Sequence, residues 1–127
     1  MEKVIPKITT FLMFSGQAEE AMEFYTGLFE DSRIEAIVHN EDGTVIQATF
    51  TLKGQTLMCI DSVVNHEFTF TPAISLFVTC DSEEEIDRLF GELSEGGGVL
   101  MPLDEYPHSK KFGWLVDRFG VSWQLNY

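Results

Sequence analysis

The sequence predicts an α+β fold made of two copies of a β-α-β-β-β module. In each half of the chain, one amphipathic helical pattern follows the first strand-like run, and three further strand-like runs come after it. A shift of 64 residues aligns the two helical patterns, so that Met22 falls on Ile86 and Tyr25 falls on Leu89. We interpret the halves as an internal duplication, because a single module would leave its apolar face uncovered.

The first module is predicted to span about residues 5–61. Its first strand covers residues 5–14, which are rich in β-branched and aromatic side chains. Its helix runs from Ala18 to Phe29, because apolar residues recur there at helical spacing and glutamates occupy the other side. Short turns containing Asp-Gly and Lys-Gly then separate three strands. These strands are predicted at residues 33–39, 44–52 and 55–61.

Residues 62–71 show no helical period and are predicted to form a linker or a flap. The second module then spans about residues 72–127, and the two modules together make residues 1–127 a single domain. Its first strand is predicted over residues 73–80, and the helix that follows ends at three glycines. A polar loop is predicted at residues 104–109. The remaining strands are predicted at residues 99–103, 111–116 and 121–126.

The composition is that of a globular protein and excludes several classes of partner. The 127 residues are 44% hydrophobic, and 21 acidic against 8 basic residues give a formal charge of −13. Such a surface repels phosphate groups, so we expect no nucleic-acid partner and no membrane partner. No apolar run approaches the roughly 20 residues of a membrane-spanning helix, and no signal peptide is recognisable. We therefore expect a cytoplasmic protein.

No familiar catalytic pattern stands out in the sequence. The three histidines never lie three or four residues apart, and no Ser-His-Asp or Gly-x-Ser-x-Gly pattern is present. Cys59 and Cys80 form no CxxC pair, so both are predicted to be small buried apolar residues. Strand alternation near the C-terminus places Trp123 in the core and puts Ser122, Gln124 and Asn126 together on a polar face. The catalytic residues, if there are any, stay unassigned.

Three segments carry a resemblance to a known family. They are FSGQAEEAMEFYTGLF at residues 14–29, AISLFVTCDSEEEID at residues 73–87 and FGWLVDRFGVSWQLNY at residues 112–127. In this order they resemble the PhnB-like branch of the vicinal oxygen chelate superfamily, which is also labelled 3-demethylubiquinone 3-methyltransferase-like. The resemblance implies the glyoxalase/bleomycin-resistance fold: a curved mixed sheet with a cleft, and helices on the outer face.

The resemblance also implies where a metal would be bound. Metal-binding members of the superfamily place His, Glu or Gln on the first and last strands of each module. The matching positions in this sequence are Thr9 or Thr10, Met58, Ala73 or Ile74, and Gln124. A protein metal site usually needs at least three donors, and Gln124 alone is a suitable one. We therefore predict no cofactor and disfavour a divalent metal.

The same positions suggest a ligand site with Gln124 as an orienting hydrogen-bond group. Trp114 could stack on an aromatic ligand, and the polar loop could bring His108 to the rim. The candidate ligand-binding residues are Gln124, Asn126, Ser122, Met58, Thr10, Trp114 and His108.

Three functions remain open at this point. The first is a small-molecule-binding protein without the superfamily metal. The second is a metal-dependent lyase, isomerase or dioxygenase of the glyoxalase kind, supported by the implied fold alone. The third is a non-catalytic structural or regulatory member. In each case we expect a homodimer, because the superfamily pairs modules within or between chains and residues 62–71 are long enough to allow exchange.

Overall fold

A computed structural model describes residues 6–127. The chain divides into two compact units, the first ending at His66 and the second beginning at Glu67. The elements of the first unit are β1 (Thr10–Phe14), α1 (Ala18–Leu28), β2 (Arg33–His39), β3 (Val45–Leu52) and β4 (Gln55–Asp61). Those of the second unit are β5 (Ser75–Thr79), α2 (Glu83–Ser94), β6 (Gly98–Tyr106), β7 (Ser109–Val116) and β8 (Ser122–Asn126).

Each unit contains one four-stranded mixed sheet, and the two sheets have the same topology. The strand order is β1-β4-β3-β2 in the first unit and β5-β8-β7-β6 in the second. The first and last strands of each module pair in parallel, whereas the other neighbours are antiparallel. The predicted α+β fold and its duplicated element order are therefore confirmed.

In the first unit, the N-terminus of α1 is held by a carboxylate from the end of β4. Gln17, the residue before the helix, makes no side-chain cap. Instead Asp61, which is 6% exposed, accepts hydrogen bonds from the backbone N–H groups of Gly16, Ala18 and Val45 at 2.8, 2.9 and 2.9 Å. The bond to Ala18 satisfies a backbone donor that a helix leaves without a partner in its first turn, and the bonds to Gly16 and Val45 hold the neighbouring backbone. Asp61 thus ties helix α1 to strands β3 and β4.

In the second unit, α2 covers one face of the sheet. Gly113 on β7 lies so close to Phe90 of α2 that an added Cβ would stand 2.4 Å from the ring. Leu115, two residues on, shares this face and is fully buried, and so is its neighbour on β8, Trp123. The predicted core position of Trp123 is confirmed. Its indole N–H donates at 2.8 Å to Asp117, a carboxylate that is only 2% exposed.

Several predicted boundaries were wrong, including the start of β5, which is Ser75 and not residue 73. Strand β1 begins at Thr10, whereas the prediction began it at residue 5, which lies outside the described residues. The predicted polar loop at 104–109 is mostly strand, since β6 continues to Tyr106 and β7 begins at Ser109. Among the strands of residues 6–127, β6 pairs only with β7, at the edge of its sheet. An edge strand tolerates a polar composition, which is why residue type alone misassigned this segment.

Both cysteines are buried and free, as predicted. Burial, with a smaller contribution from the nearby Asp61 carboxylate, raises the pKa of the Cys59 thiol to about 12. Between residues 6 and 127, no helix has the length and apolar character to cross a membrane.

Candidate functional site

The sheet of the second unit has one face against α2 and one face directed away from it. We call the latter the helix-free face of the second unit. Strand register assigns residues to it, because directly paired residues point to the same side and neighbours along a strand alternate. The side chains on this face include Ser75, Phe77, Phe112, Trp114, Ser122, Gln124 and Asn126.

Gln124 lies near the middle of this face, between two aromatic residues. Its partner on β5 is Phe77, and its partner on β7 is Trp114. Phe77 is 58% exposed, whereas Gln124 and Trp114 are half-buried. The ring of Phe112 lies 6.5 Å from that of Phe77, centroid to centroid, and is itself buried, at 8% exposure, so it supports Phe77 from the side. An amide therefore lies within an apolar, aromatic surface.

Four side chains on this face form a continuous array of hydrogen bonds. The indole N–H of Trp114 donates to Ser122 Oγ at 2.8 Å, and the hydroxyl oxygens of Ser122 and Ser75 lie 2.6 Å apart. Gln124 Nε2 donates to Ser75 Oγ at 3.2 Å. Ser122 is only 2% exposed, so it supports its neighbours and is not itself open to a ligand. The array joins β5, β7 and β8 and fixes the position of the Gln124 amide.

The other two candidates of the second unit lie towards one end of the sheet. The hydroxyl of Ser109 lies within hydrogen-bond distance of Asn126 Oδ1 and, at 2.9 Å, of the carbonyl oxygen of Lys111, and its one hydrogen can be donated to either. His108 is exposed in the turn between β6 and β7 and lines a shallow depression formed by residues 105–110. Neither residue belongs to the array around Gln124.

The first unit contains a similar cross-strand pair between its own first and last strands. Met58 on β4 is paired with Phe11 on β1, as Gln124 on β8 is paired with Phe77 on β5. Phe11 is 51% exposed. Thr10 is paired with Leu57 instead of Met58, so it points to the opposite side of the sheet from Met58.

The donor chemistry of these positions does not fit a divalent metal. Ala73 and Ile74 precede β5, and the residue that contacts Gln124 there is Ser75. The second unit thus offers one amide and one hydroxyl, and the first offers the thioether of Met58. Within residues 6–127, no group of three or more His, Cys, Asp or Glu side chains could hold a metal ion. Divalent metals such as Zn²⁺ and Ca²⁺ are bound in proteins by a larger number of donors, chiefly imidazole, thiolate or carboxylate groups.

Sequence reasoning did not identify Ser75 and Phe77, although both lie next to Gln124 on the helix-free face of the second unit. The signal that could have found them is the alternation along β5, which places Ser75 and Phe77 together on the face opposite to Leu76. Alternation alone does not show that these residues lie next to Gln124. That depends on the register between β5 and β8, whose paired residues are 47 positions apart in the sequence.

Comparison with known proteins gives a consistent family and fold. A profile of the family described as 3-demethylubiquinone-9 3-methyltransferase matches residues 6–126. A solved structure described as a putative 3-demethylubiquinone-9 3-methyltransferase, PhnB protein, from Bacillus cereus is 63% identical. The match covers 95% of this chain and 98% of that one, with a TM-score of 0.93.

More distant relatives extend the comparison. Protein YjdN of Escherichia coli K12 is 21% identical over 138 residues, covering 94% of this chain and 93% of that protein. The fosfomycin resistance protein FosX of Listeria monocytogenes is 11% identical and superposes with a TM-score of 0.67, covering 98% of this chain and 94% of that one. At this identity the likeness to FosX concerns the fold alone.

Proposed function

The chain belongs to the 3-demethylubiquinone-9 3-methyltransferase family and has the glyoxalase fold, and we propose that it binds a small, largely apolar molecule without a divalent metal. The proposed site is the helix-free face of the second unit. One observation carries the proposal: the Gln124 amide is held between Phe77 and Trp114, at the position where a metal-binding relative would need a ligand. Pockets for small molecules combine an apolar lining with a few fixed polar groups in this way.

The exposed aromatic surface contributes part of the free energy that binding requires. With 58% of Phe77 exposed, covering its ring would remove about 100 Å² of apolar area from water. At about 25 cal/mol per Å², this burial contributes about 2.5 kcal/mol. The half-buried Trp114 adds to the same surface and is fixed by its hydrogen bond to Ser122, whereas the buried Phe112 packs near Phe77. The face therefore favours a flat, uncharged ligand.

The methyltransferase in the family description is not part of this proposal. A nucleotide-type methyltransferase places a glycine-rich loop between a strand and a helix. The glycine cluster here, residues 96–98, follows α2. At Gly97 an added Cβ would stand 2.0 Å from the carbonyl oxygen of Val116. This glycine thus allows a close approach of backbone segments, which is a structural role.

Metal titration tests the proposal. Zn²⁺, Ni²⁺ and Mn²⁺ are titrated calorimetrically into the purified protein, beside elemental analysis of the protein as purified. We expect no stoichiometric site for any of the three. Gln124→Glu adds a carboxylate but leaves the other donors missing, so it should not create tight binding either. Gln47→Ala, on an exposed position of β3, is the matched control for Gln124→Ala.

A stoichiometric, submicromolar metal site that is lost in Gln124→Ala and kept in Gln47→Ala would overturn the proposal. That result would favour the alternative function, a metal-dependent lyase, isomerase or dioxygenase. Native mass spectrometry of the purified protein adds a direct measurement, since a co-purified organic ligand of low mass supports the binding function.

We also propose that the protein acts as a cytoplasmic homodimer. Residues 62–74, which join β4 to β5, contain neither helix nor strand and expose several apolar side chains. These are Val63, Val64, Phe68 and Ile74, each at least 60% exposed. Covering them in a dimer would remove apolar area from water. Sedimentation at micromolar concentration should give twice the 14.4 kDa chain mass, and a mass near 14.4 kDa would refute the dimer.

A further inference from the structure

The hydrogen atoms of the array around Gln124 can be assigned from the bonds themselves. A hydroxyl has one hydrogen to donate and two lone pairs that accept. Ser122 Oγ accepts from the Trp114 indole, and its other partner is Ser75 Oγ. Because Ser122 is only 2% exposed, its hydrogen must be given to Ser75; otherwise a buried donor would lack a partner.

This assignment fixes what Ser75 and Gln124 can offer to a ligand. Ser75 Oγ accepts from Ser122 and from Gln124 Nε2, so both of its lone pairs are used. Ser75 is half-buried, and the hydrogen of its hydroxyl remains available for donation to a ligand. Gln124 has one N–H committed to Ser75, and its carbonyl oxygen makes no hydrogen bond within the described residues. The site therefore offers a hydroxyl donor beside an amide acceptor.

We propose that this face selects ligands with an amide-type edge, in which an N–H donor lies beside a C=O acceptor on a flat apolar ring. The ligand carbonyl accepts from Ser75, and the ligand N–H donates to the Gln124 carbonyl oxygen. The ring lies between Phe77 and Trp114. This inference rests on the proposed function and names the ligand class for the same site: uncharged lactams and carboxamides.

Charged ligands match this pair of groups poorly. A carboxylate only accepts, so it would place its oxygens against the Gln124 carbonyl oxygen, and the net charge of −13 repels it at long range. An ammonium group only donates, so it would leave the Ser75 hydroxyl without an acceptor. A polar group left unpaired in a bound complex lowers affinity considerably, and selection between close analogues follows from that loss.

Three flat aromatic probes of similar size test the proposal. 2-Quinolone carries both N–H and C=O, N-methyl-2-quinolone keeps only the acceptor, and naphthalene has neither. Binding is measured by titration in ¹H–¹⁵N spectra, following the indole signals of Trp114 and Trp123, which Trp114→Phe assigns. Trp123 is buried on the α2 side and serves as the internal reference. The variants are Ser75→Ala and Gln124→Leu, with Ser94→Ala on α2 as the matched hydroxyl control.

We expect 2-quinolone to bind with a Kd at least about tenfold lower than N-methyl-2-quinolone, with the larger shift at Trp114. Ser75→Ala and Gln124→Leu should each reduce this ratio towards one, while Ser94→Ala keeps it. Equal binding of all three probes, or a ratio that survives both site variants, would overturn the ligand class and leave the proposed binding function standing. If no probe moves the Trp114 signal, both the ligand class and the proposed site are wrong.

Discussion

Replacing Asp61 should be among the most damaging single changes in the first unit, although the residue is no part of the candidate site. Its carboxylate accepts three backbone N–H groups, from Gly16, Ala18 and Val45. The bonds to Ala18 and Val45 are buried, whereas water can reach Gly16. Asp61→Ala removes the acceptor from all three donors and leaves two of them without access to water.

The magnitude follows from the cost of unpaired donors. Each buried donor without a partner costs about 1–3 kcal/mol, and the loss of the carboxylate at the start of α1 adds about 0.5 kcal/mol. With two such donors, we expect Asp61→Ala to lower the free energy of unfolding by about 2.5–6.5 kcal/mol. Asp61→Asn keeps Oδ1 for Gly16 and Ala18 but turns an NH₂ group towards the N–H of Val45. It should therefore cost less, about 1–3 kcal/mol.

Urea unfolding followed by circular dichroism measures both variants, and melting temperatures give a second estimate at about 4 °C per kcal/mol. Glu41→Gln is the control, since it removes an exposed carboxylate in the turn between β2 and β3. Both tryptophans lie in the second unit, so their emission reports that unit separately. If the free energies of unfolding of Asp61→Ala and Glu41→Gln differed by less than about 1 kcal/mol, the assigned capping role of Asp61 would be refuted.

Two further predictions concern packing and ionisation. Gly113→Ala should destabilise the protein by about 1–3 kcal/mol, because its Cβ would collide with Phe90. Gly91→Ala, which has open space on helix α2, should stabilise the protein by up to about 1 kcal/mol. Melting temperatures that change in the same direction for both variants would contradict this prediction. The pKa of Cys59 is raised to about 12 by folding, so stability should be unchanged below pH 9 and fall as the pH rises from 9 towards 12. A Cys59→Ala variant that shows the same fall in urea unfolding would show that another group is responsible.

The sequence by itself determined the elements and their duplicated order. The helices were predictable because their buried residues recur at helical spacing, as Met22 and Tyr25 do in α1 and Ile86 and Leu89 do in α2. The strands were predictable where alternation was strong, and β4 was predicted with its bounds at residues 55–61. These patterns are local, because each reflects which side of an element must leave water.

The candidate site was predicted only in part. Strand alternation identified Gln124 and Ser122, and Trp114 was identified as a side chain that could stack on an aromatic ligand; the structure places all three on one face of the second unit. Strand β6 was predicted too short, because its polar residues lie at a sheet edge where composition resembles that of a loop.

Tertiary structure alone decided which residues stand beside one another across strands. Ser75 contacts Gln124 across 49 positions, and Asp61 reaches Gly16 across 45. A shift of one residue in the pairing of β5 with β8 would bring Leu76 or Ile74 to the place of Ser75 and reverse which side chains face the ligand. Register of this kind is set by the packing of the whole sheet against its helix. Local sequence therefore fixes which face of each strand is buried, whereas the donor and acceptor that a ligand would meet are fixed only when the strands are aligned.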